Sequence, residues 1–256
     1  MLCKTDSGVS SKRQDSSMRI TAKGKDMSKQ TLHVFSAGAV APPVKKCAEA
    51  FKAKFGTEFN FTVNKAEVLM EEIEKTKEGD LLTCGSEYIL DHAQLKGLIL
   101  KETRKSLGSR TSAILVQRGN PKKIRSMSDV AKEGIQVAVS VSGCLTGVWD
   151  DLATKAGFAE QIRTNTVAYA DGCGELMSFI NKKKVDAILG WDAFKNLNME
   201  TMDRIELPER LQVHRSTAIG VITFSKNKEL AKEFIDFLVS EKGKRIYEEY
   251  GWHHLS

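Results

Sequence analysis

The sequence predicts an α/β protein built on a mostly parallel sheet with helices on both faces. The first observation behind this is alternation: short apolar or alternating runs that read as strands are separated by longer stretches with helical spacing. The second is that this rhythm runs twice, once before and once after Thr111. The third is size, since 256 residues with 41% hydrophobic and 28% charged side chains suffice for two lobes sharing a continuous core.

In chain order, Leu32 to Phe35 reads as a buried strand closed by the turn Ser36-Ala37-Gly38. A helix starts at Pro42 or Pro43, because proline suits a first helical turn. Its apolar residues Val44, Cys47, Phe51 and Phe55 keep helical spacing, and Gly56 ends it. Phe59 to Val63 is the next strand, and Val68, Leu69 and Ile73 mark a helix. Asp80 to Cys84 is a third strand, followed by a helix over Ser86 to Lys96 that stops at Gly97. After Thr111 come a strand over Ile135 to Val139, a helix over Leu145 to Ala156 and a strand over Thr164 to Ala168. A helix over Glu175 to Lys183 and a strand over Val185 to Leu189 follow. Ala218 to Phe224 is the last strand, before a helix carrying Leu230, Phe234, Phe237 and Leu238 on one face.

Composition removes several function classes. No run of about 18 apolar residues occurs, so no membrane span is expected. The net charge is +6, but residues 1–30 hold seven Lys/Arg against three Asp, which leaves a net +2 on the rest of the chain. A duplex-binding surface needs a concentrated basic face, so no nucleic-acid partner is expected. Residues 1–30 are polar and poor in large apolar side chains, and a disordered segment is expected there. They show no apolar secretory stretch, which fits either a cytoplasmic chain or one whose leader lies elsewhere. The five cysteines have no CxxC or disulfide-framework spacing.

In a parallel sheet a ligand sits outside the carboxyl ends of the strands, where loops enter helix N-termini. Here those loops are residues 36–41, 64–67, 84–86, 140–147 and 170–174, and four of the five contain glycine. Backbone N–H groups at helix starts bind anions without a cationic side chain, although Gly and Ser also suit plain turns.

Several segments together resemble the extracytoplasmic solute-binding proteins of ABC transporters, specifically the molybdate/tungstate-binding family. These are Phe35-Ser36-Ala37-Gly38-Ala39-Val40 with Pro42-Pro43, Gly79-Asp80-Leu81 through Gly85, and Gly143-Cys144-Leu145-Thr146-Gly147. The late stretch Val185 to Asp192 and the C-terminal run from Phe234 to Trp252 add to them, so that the resemblance spans residues 31–256. It implies a two-lobed periplasmic-binding-protein type II fold, with lobe 1 over 31–115 plus 217–256 and lobe 2 over 116–216. Crossover strands would lie near Thr111–Gln117 and Ser216–Phe224, and the lobes would close on the ligand by a hinge. It further implies a monomer outside the cytoplasm that hands a small oxyanion to an ABC permease, with no cofactor and no catalysis.

The implied ligand contacts are Ser36, Gly38 and Ala39 in the first loop, Ala66 and Glu67 in the second, and Thr146 with Gly147 in the second lobe. Gly172 and Cys173 would add amides at a further helix start. The chain departs from the family at Ala39, where a serine hydroxyl is usual, at Asn64-Lys65-Ala66-Glu67, and at Leu189 in place of a tyrosine. Each lost neutral hydrogen bond removes about 1 kcal/mol, more to a charged acceptor.

Two other readings stay open from the residues. Cys84, Cys144 and Cys173 lie in loops expected at the cleft, where three thiolates could hold a soft metal. A cytoplasmic enzyme or ligand sensor on the same fold is the other, although no histidine is placed beside Cys144 or Cys173.

Overall fold

A computed structural model gives the structure of the protein and describes residues 30–254. The segment expected to be disordered, Gln30 apart, lies outside the described residues, as does Cys3. The chain runs β1 (Thr31–Ala37), α1 (Ala41–Phe55), β2 (Glu58–Asn64), α2 (Ala66–Thr76), β3 (Leu81–Cys84) and α3 (Glu87–Leu95). Next come β4 (Lys105–Gln117), α4 (Met127–Val130), β5 (Val137–Ser140), α5 (Val148–Ala156), α6 (Ala159–Asn165), β6 (Thr166–Ala170) and α7 (Cys173–Asn181). The remainder is β7 (Ala187–Trp191), α8 (Ala193–Leu197), β8 (Met202–Glu206), β9 (His214–Val221), α9 (Lys228–Val239) and α10 (Glu241–Glu249).

The strands hydrogen-bond in the order β2-β1-β3-β9-β4-β7-β5-β6, with β8 also on β4. β1 pairs in parallel with β2 and β3, and β5 pairs in parallel with β6 and β7. The antiparallel contacts belong to the two long strands that run between these groups. β4 pairs with β9 up to Thr111, opposite His214, and with β7 from Ser112, opposite Trp191. Its register slips between Ser106 and Ser109, where Gly108 takes φ +99° and Ser109 exchanges backbone hydrogen bonds of 2.8 Å with His253. A side chain at Gly108 would press on the His253 carbonyl oxygen at 2.9 Å, so only glycine suits this bulge.

Both faces of the central strands are buried, as parallel sheets require. On one side Leu32, Val34, Val44, Phe51, Phe234 and Trp252 form a core under α1, α9 and α10. Phe51 sits at its centre, with edge-on contacts to Phe234 and Phe237 at 5.3 and 5.5 Å between ring centroids. The other side joins Phe35, Leu82 and Ile89 of the first strand group to Leu115, Ile188 and Trp191 of the second. α1 forms as its sequence predicts: Pro42 and Pro43 open it, Val44, Cys47, Ala48 and Phe51 bury one face, and Gly56 at φ +77° closes it.

The second half departs from the expected boundaries. Gly143 to Leu145 winds as a separate 3-10 turn, and Gly147 at φ +76° caps α5, which therefore starts at Val148 rather than Leu145. Part of the strand expected over Thr164 to Ala168 is the end of α6; β6 begins only at Thr166. Ile162 sets that outcome, because it is fully buried and continues a helical hydrogen bond to Phe158 at 2.9 Å. β7 and β9 are offset along the chain from their expected ranges, and α8 and β8 have no counterpart in the sequence reading.

Candidate functional site

Three helix starts open onto one cleft of about 860 Å³. The first is the turn Ala37 to Val40 leading into α1, the second Asn64 to Glu67 leading into α2, and the third Asp171 to Glu175 leading into α7. In α2 the ladder begins with Leu69 N–H to Lys65 O at 3.0 Å, and in α7 with Leu176 N–H to Gly172 O at 3.1 Å. The amides of Ala66 and Glu67, and of Cys173, Gly174 and Glu175, precede those bonds and have no intrahelical acceptor. Ala41 N–H bonds to Gly38 O, so Gly38, Ala39 and Val40 stand in the same position in the first turn. Free amides and the positive ends of helix dipoles favour a negatively charged ligand.

Side chains link the two strand groups around this cleft. The Lys65 ammonium, on the first, forms an ion pair with the Asp171 carboxylate on the second. Ser142 Oγ donates to Asp171 Oδ1 at 2.6 Å, and the Asp171 backbone N–H donates to Glu175 Oε2 at 2.6 Å. The hydrogen bond from Lys65, then that from Ser142, lowers the Asp171 pKa, while the bond to Asp171 raises that of Lys65. The Tyr88 hydroxyl donates to the Gly143 carbonyl, and the Arg110 guanidinium donates to the Gly85 carbonyl. Gly85 forms part of the floor and packs directly on Cys144, leaving no room for a Cβ.

Of the residues singled out in the sequence, Gly38, Ala39, Ala66, Glu67, Gly172 and Cys173 line the cleft. Ser36, Thr146 and Gly147 are not among its lining residues. Ser36 is fully buried in β1 between β2 and β3, and its hydroxyl donates to the Ala37 carbonyl at 3.2 Å. The Thr146 hydroxyl donates to the Gly143 carbonyl at 2.9 Å, closing the 3-10 turn, and Gly147 is spent on capping α5. That turn instead presents Ser142, Gly143 and Cys144 to the cleft. Lys65, Asp171, Ser142 and Arg110 were missed by sequence reasoning. Lys65 and Asp171 lie in loops already marked as helix entries, and their opposite charges were the available signal. Nothing in the sequence marks Arg110, because its role depends on which strands flank it.

The three cysteines do not gather into one metal site. Cys144 and Cys173 are adjacent, but Cys84 is sealed in the core at the end of β3 and is absent from the cleft lining. Among the described residues no group of three His, Cys, Asp or Glu side chains could share a metal ion. Burial pushes the Cys84 thiol up, away from the thiolate that a metal would need. Three of the five described histidines bond elsewhere: His33 to Thr62 at 2.8 Å, His214 to Thr111 at 3.1 Å and His253 to Asp192 at 2.5 Å.

The model of the family described as bacterial extracellular solute-binding protein matches residues 32–253. The chain belongs to that family. Molybdate-binding protein ModA of Mycobacterium tuberculosis is 25% identical over 227 residues, covering 87% of this chain and 84% of ModA. Sulfate-binding protein of Escherichia coli is 23% identical over 198 residues, covering 66% of this chain and 60% of that protein. Among solved structures, L-phospholactate-bound PEB3, a protein of Campylobacter jejuni, superposes with a TM-score of 0.77 at 24% identity. The superposition covers 88% of this chain and all of the other. The periplasmic molybdate-binding protein of Azotobacter vinelandii gives 0.76 at 14% identity, with coverage of 88% and 100%. At such identities the structures establish the fold alone: a mixed sheet with flanking helices, of the type II periplasmic-binding-protein kind. The family resemblance drawn from the sequence and the fold class it implied are both found. No helix among the described residues is long and apolar enough to cross a membrane.

Proposed function

We propose that the protein is the solute-binding component of an ABC importer and holds a small oxyanion, molybdate- or tungstate-like, in the cleft. One observation carries the reading: three helix starts whose first amides have no intrahelical acceptor line a single space. Amides suit a ligand that stays anionic, because they donate without releasing a proton. The proposed contacts are the amides of Gly38, Ala39, Ala66, Glu67, Cys173 and Gly174. The 31–115 plus 217–256 lobe and the 116–216 lobe would part and close about β4 and β9, with Lys65 and Asp171 meeting on closure. The protein would act as a monomer outside the cytoplasm, deliver its ligand to a permease, and perform no chemistry on it.

A second reading is favoured by the cleft volume of about 860 Å³, which exceeds what a bare tetrahedral anion fills. A small organic phosphate or carboxylate fits that space, and PEB3 has been crystallised with L-phospholactate. Thermal unfolding with molybdate, tungstate, sulfate, phosphate and phospholactate tests both readings. A ligand at a hundred times its Kd stabilises the folded state by about 2.7 kcal/mol. A shift with an inorganic oxyanion supports the first reading, and a shift with phospholactate alone supports the second. No shift with any of the five removes the anion-binding reading.

A further inference from the structure

Cys144 and Cys173 come from separate loops of the second strand group, one in the 143–145 turn after β5 and the other at the first residue of α7. Their sulfurs stand 3.3 Å apart and both residues line the cleft. The indole N–H of Trp191 donates to the Cys144 sulfur at 3.3 Å. The guanidinium of Arg110 lies next to them, fully buried between the rings of Trp191 and Trp252, 5.0 and 5.3 Å from their centroids. Arg110 has no carboxylate partner among the described residues, and its Nε and Nη1 are buried without a hydrogen bond. A buried cation in that situation requires a negative charge nearby, and the Cys144 sulfur is the group placed to carry it.

The four described cysteines therefore divide. Burial pushes Cys47 up to about 12 and Cys84 up as well. Cys144 is held below the usual thiol range by the hydrogen bond from Cys173, then by the Arg110 charge and the indole N–H, against the opposing effect of burial. Cys173 is pushed well above the usual thiol range by its bond to Cys144 and by burial. The Arg110 guanidinium and the indole N–H thus favour negative charge on the Cys144 sulfur, with the Cys173 thiol beside it, the arrangement from which thiol–disulfide exchange proceeds.

We propose that Cys144 and Cys173 form a reversible dithiol–disulfide pair in the cleft wall, oxidised by a small-molecule disulfide. In the first step the Cys144 thiolate attacks one sulfur of the disulfide, forming a mixed disulfide while the other half leaves as a thiolate. That thiolate takes the proton of Cys173. The Cys173 sulfur then attacks Cys144 Sγ, forming the intramolecular bond and expelling the second thiolate. Two electrons pass from the protein to the oxidant, and the proton ends on one released thiol. The sulfurs must approach from 3.3 Å to about 2.05 Å, which asks for a small shift of two turn-borne side chains. The bridge joins the 142–145 turn to the start of α7, the two segments that make the second group's wall of the cleft. The pair stands on this geometry whatever the cleft binds.

The test uses the reduced full chain, treated with oxidised glutathione, quenched in acid, digested and mapped by mass spectrometry. A cross-linked Cys144–Cys173 peptide, two hydrogens lighter than the two free peptides and restored by dithiothreitol, is expected, with Cys47 and Cys84 unmodified. In Cys173→Ser the reaction should stop at a glutathione adduct on Cys144. The inference is overturned if the pair stays reduced, if either cysteine bridges instead to Cys3, Cys47 or Cys84, or if the adduct in Cys173→Ser falls on another residue. The bridged peptide of the parent protein decides the matter even if the variant does not fold.

Discussion

Replacing Gly85 by alanine probes whether the two strand groups meet more tightly with ligand than without it. An alanine Cβ would lie 2.8 Å from Arg110 Nη2 and 2.9 Å from both Cβ and Sγ of Cys144. Relaxed contacts of this kind fall near 3.5–4.0 Å, so the neighbours must retreat by about 0.8 Å. Arg110 is wedged between two tryptophan rings and cannot yield, whereas Cys144 sits on a turn and can. Gly85 shows no left-handed backbone angle, so alanine adds overlap without backbone strain. Overpacking of this size costs about 1–3 kcal/mol, a factor of roughly 5–150 in an equilibrium constant. Gly85 follows β3 and Cys144 follows β5, so the overlap with Cys144 exists only while the two groups are together, whereas the contact with Arg110, which lies with Gly85 in the 31–115 stretch, is present in both states. Calorimetric titration with whichever anion stabilises the parent should show affinity weakened by roughly 5–150-fold. The melting temperature of the unliganded variant should fall by only about 2–4 °C, from the Arg110 contact at about 1 kcal/mol. An unchanged affinity with a melting temperature lowered by more than about 4 °C would refute the reasoning, because it would mean that the Cys144 contact persists without ligand.

Two further outcomes follow from single contacts. Thr146→Val removes the hydroxyl that closes the 143–145 turn, so it should lower the melting temperature by about 2–4 °C while leaving anion affinity within about twofold of the parent, as thermal unfolding and titration would report. Asp129 accepts from Lys132 at 2.6 Å, the Arg125 amide at 2.8 Å and Ser126 at 3.1 Å, which lowers its pKa to about 2 from the ordinary 3.8. A carboxyl with a depressed folded-state pKa stabilises the fold above its unfolded pKa, and that stabilisation is lost as pH falls through the folded value. Asp129→Asn should therefore cost about 1 kcal/mol at pH 7 after allowance for solvent screening, and almost nothing near pH 2, read from urea midpoints. A gap of equal size at both pH values would show that shape, and not charge, accounts for the loss.

The sequence by itself determined the class of fold and the first half of its elements. Proline at the start of α1, glycine at its end and apolar residues at helical spacing act locally, so their outcome needs no distant partner. The loops that enter helices were marked by the same local rules, and six of the nine residues singled out in them lie on the cleft. The second half was harder to read because its signals conflict. Thr164 and Thr166 favour a strand on their own, but the burial of Ile162 extends α6 through Asn165 and delays β6. Gly143 and Gly147 both adopt positive φ, and together they convert an expected helix start into a turn that carries Cys144 to the cleft and Thr146 away from it. Long-range placement was settled by the tertiary structure alone. Asp171 finds Lys65 across 106 residues, and Arg110 finds Gly85 across 25, because β4 and β9 bring the two strand groups together. The same convergence sets Cys144 beside Cys173 and seals Cys84 in the core, a distinction that spacing could not make because all three cysteines lie at or just beyond strand ends. Local chemistry decides which element a segment forms, and only the packing of elements decides which side chains meet and how much water they lose.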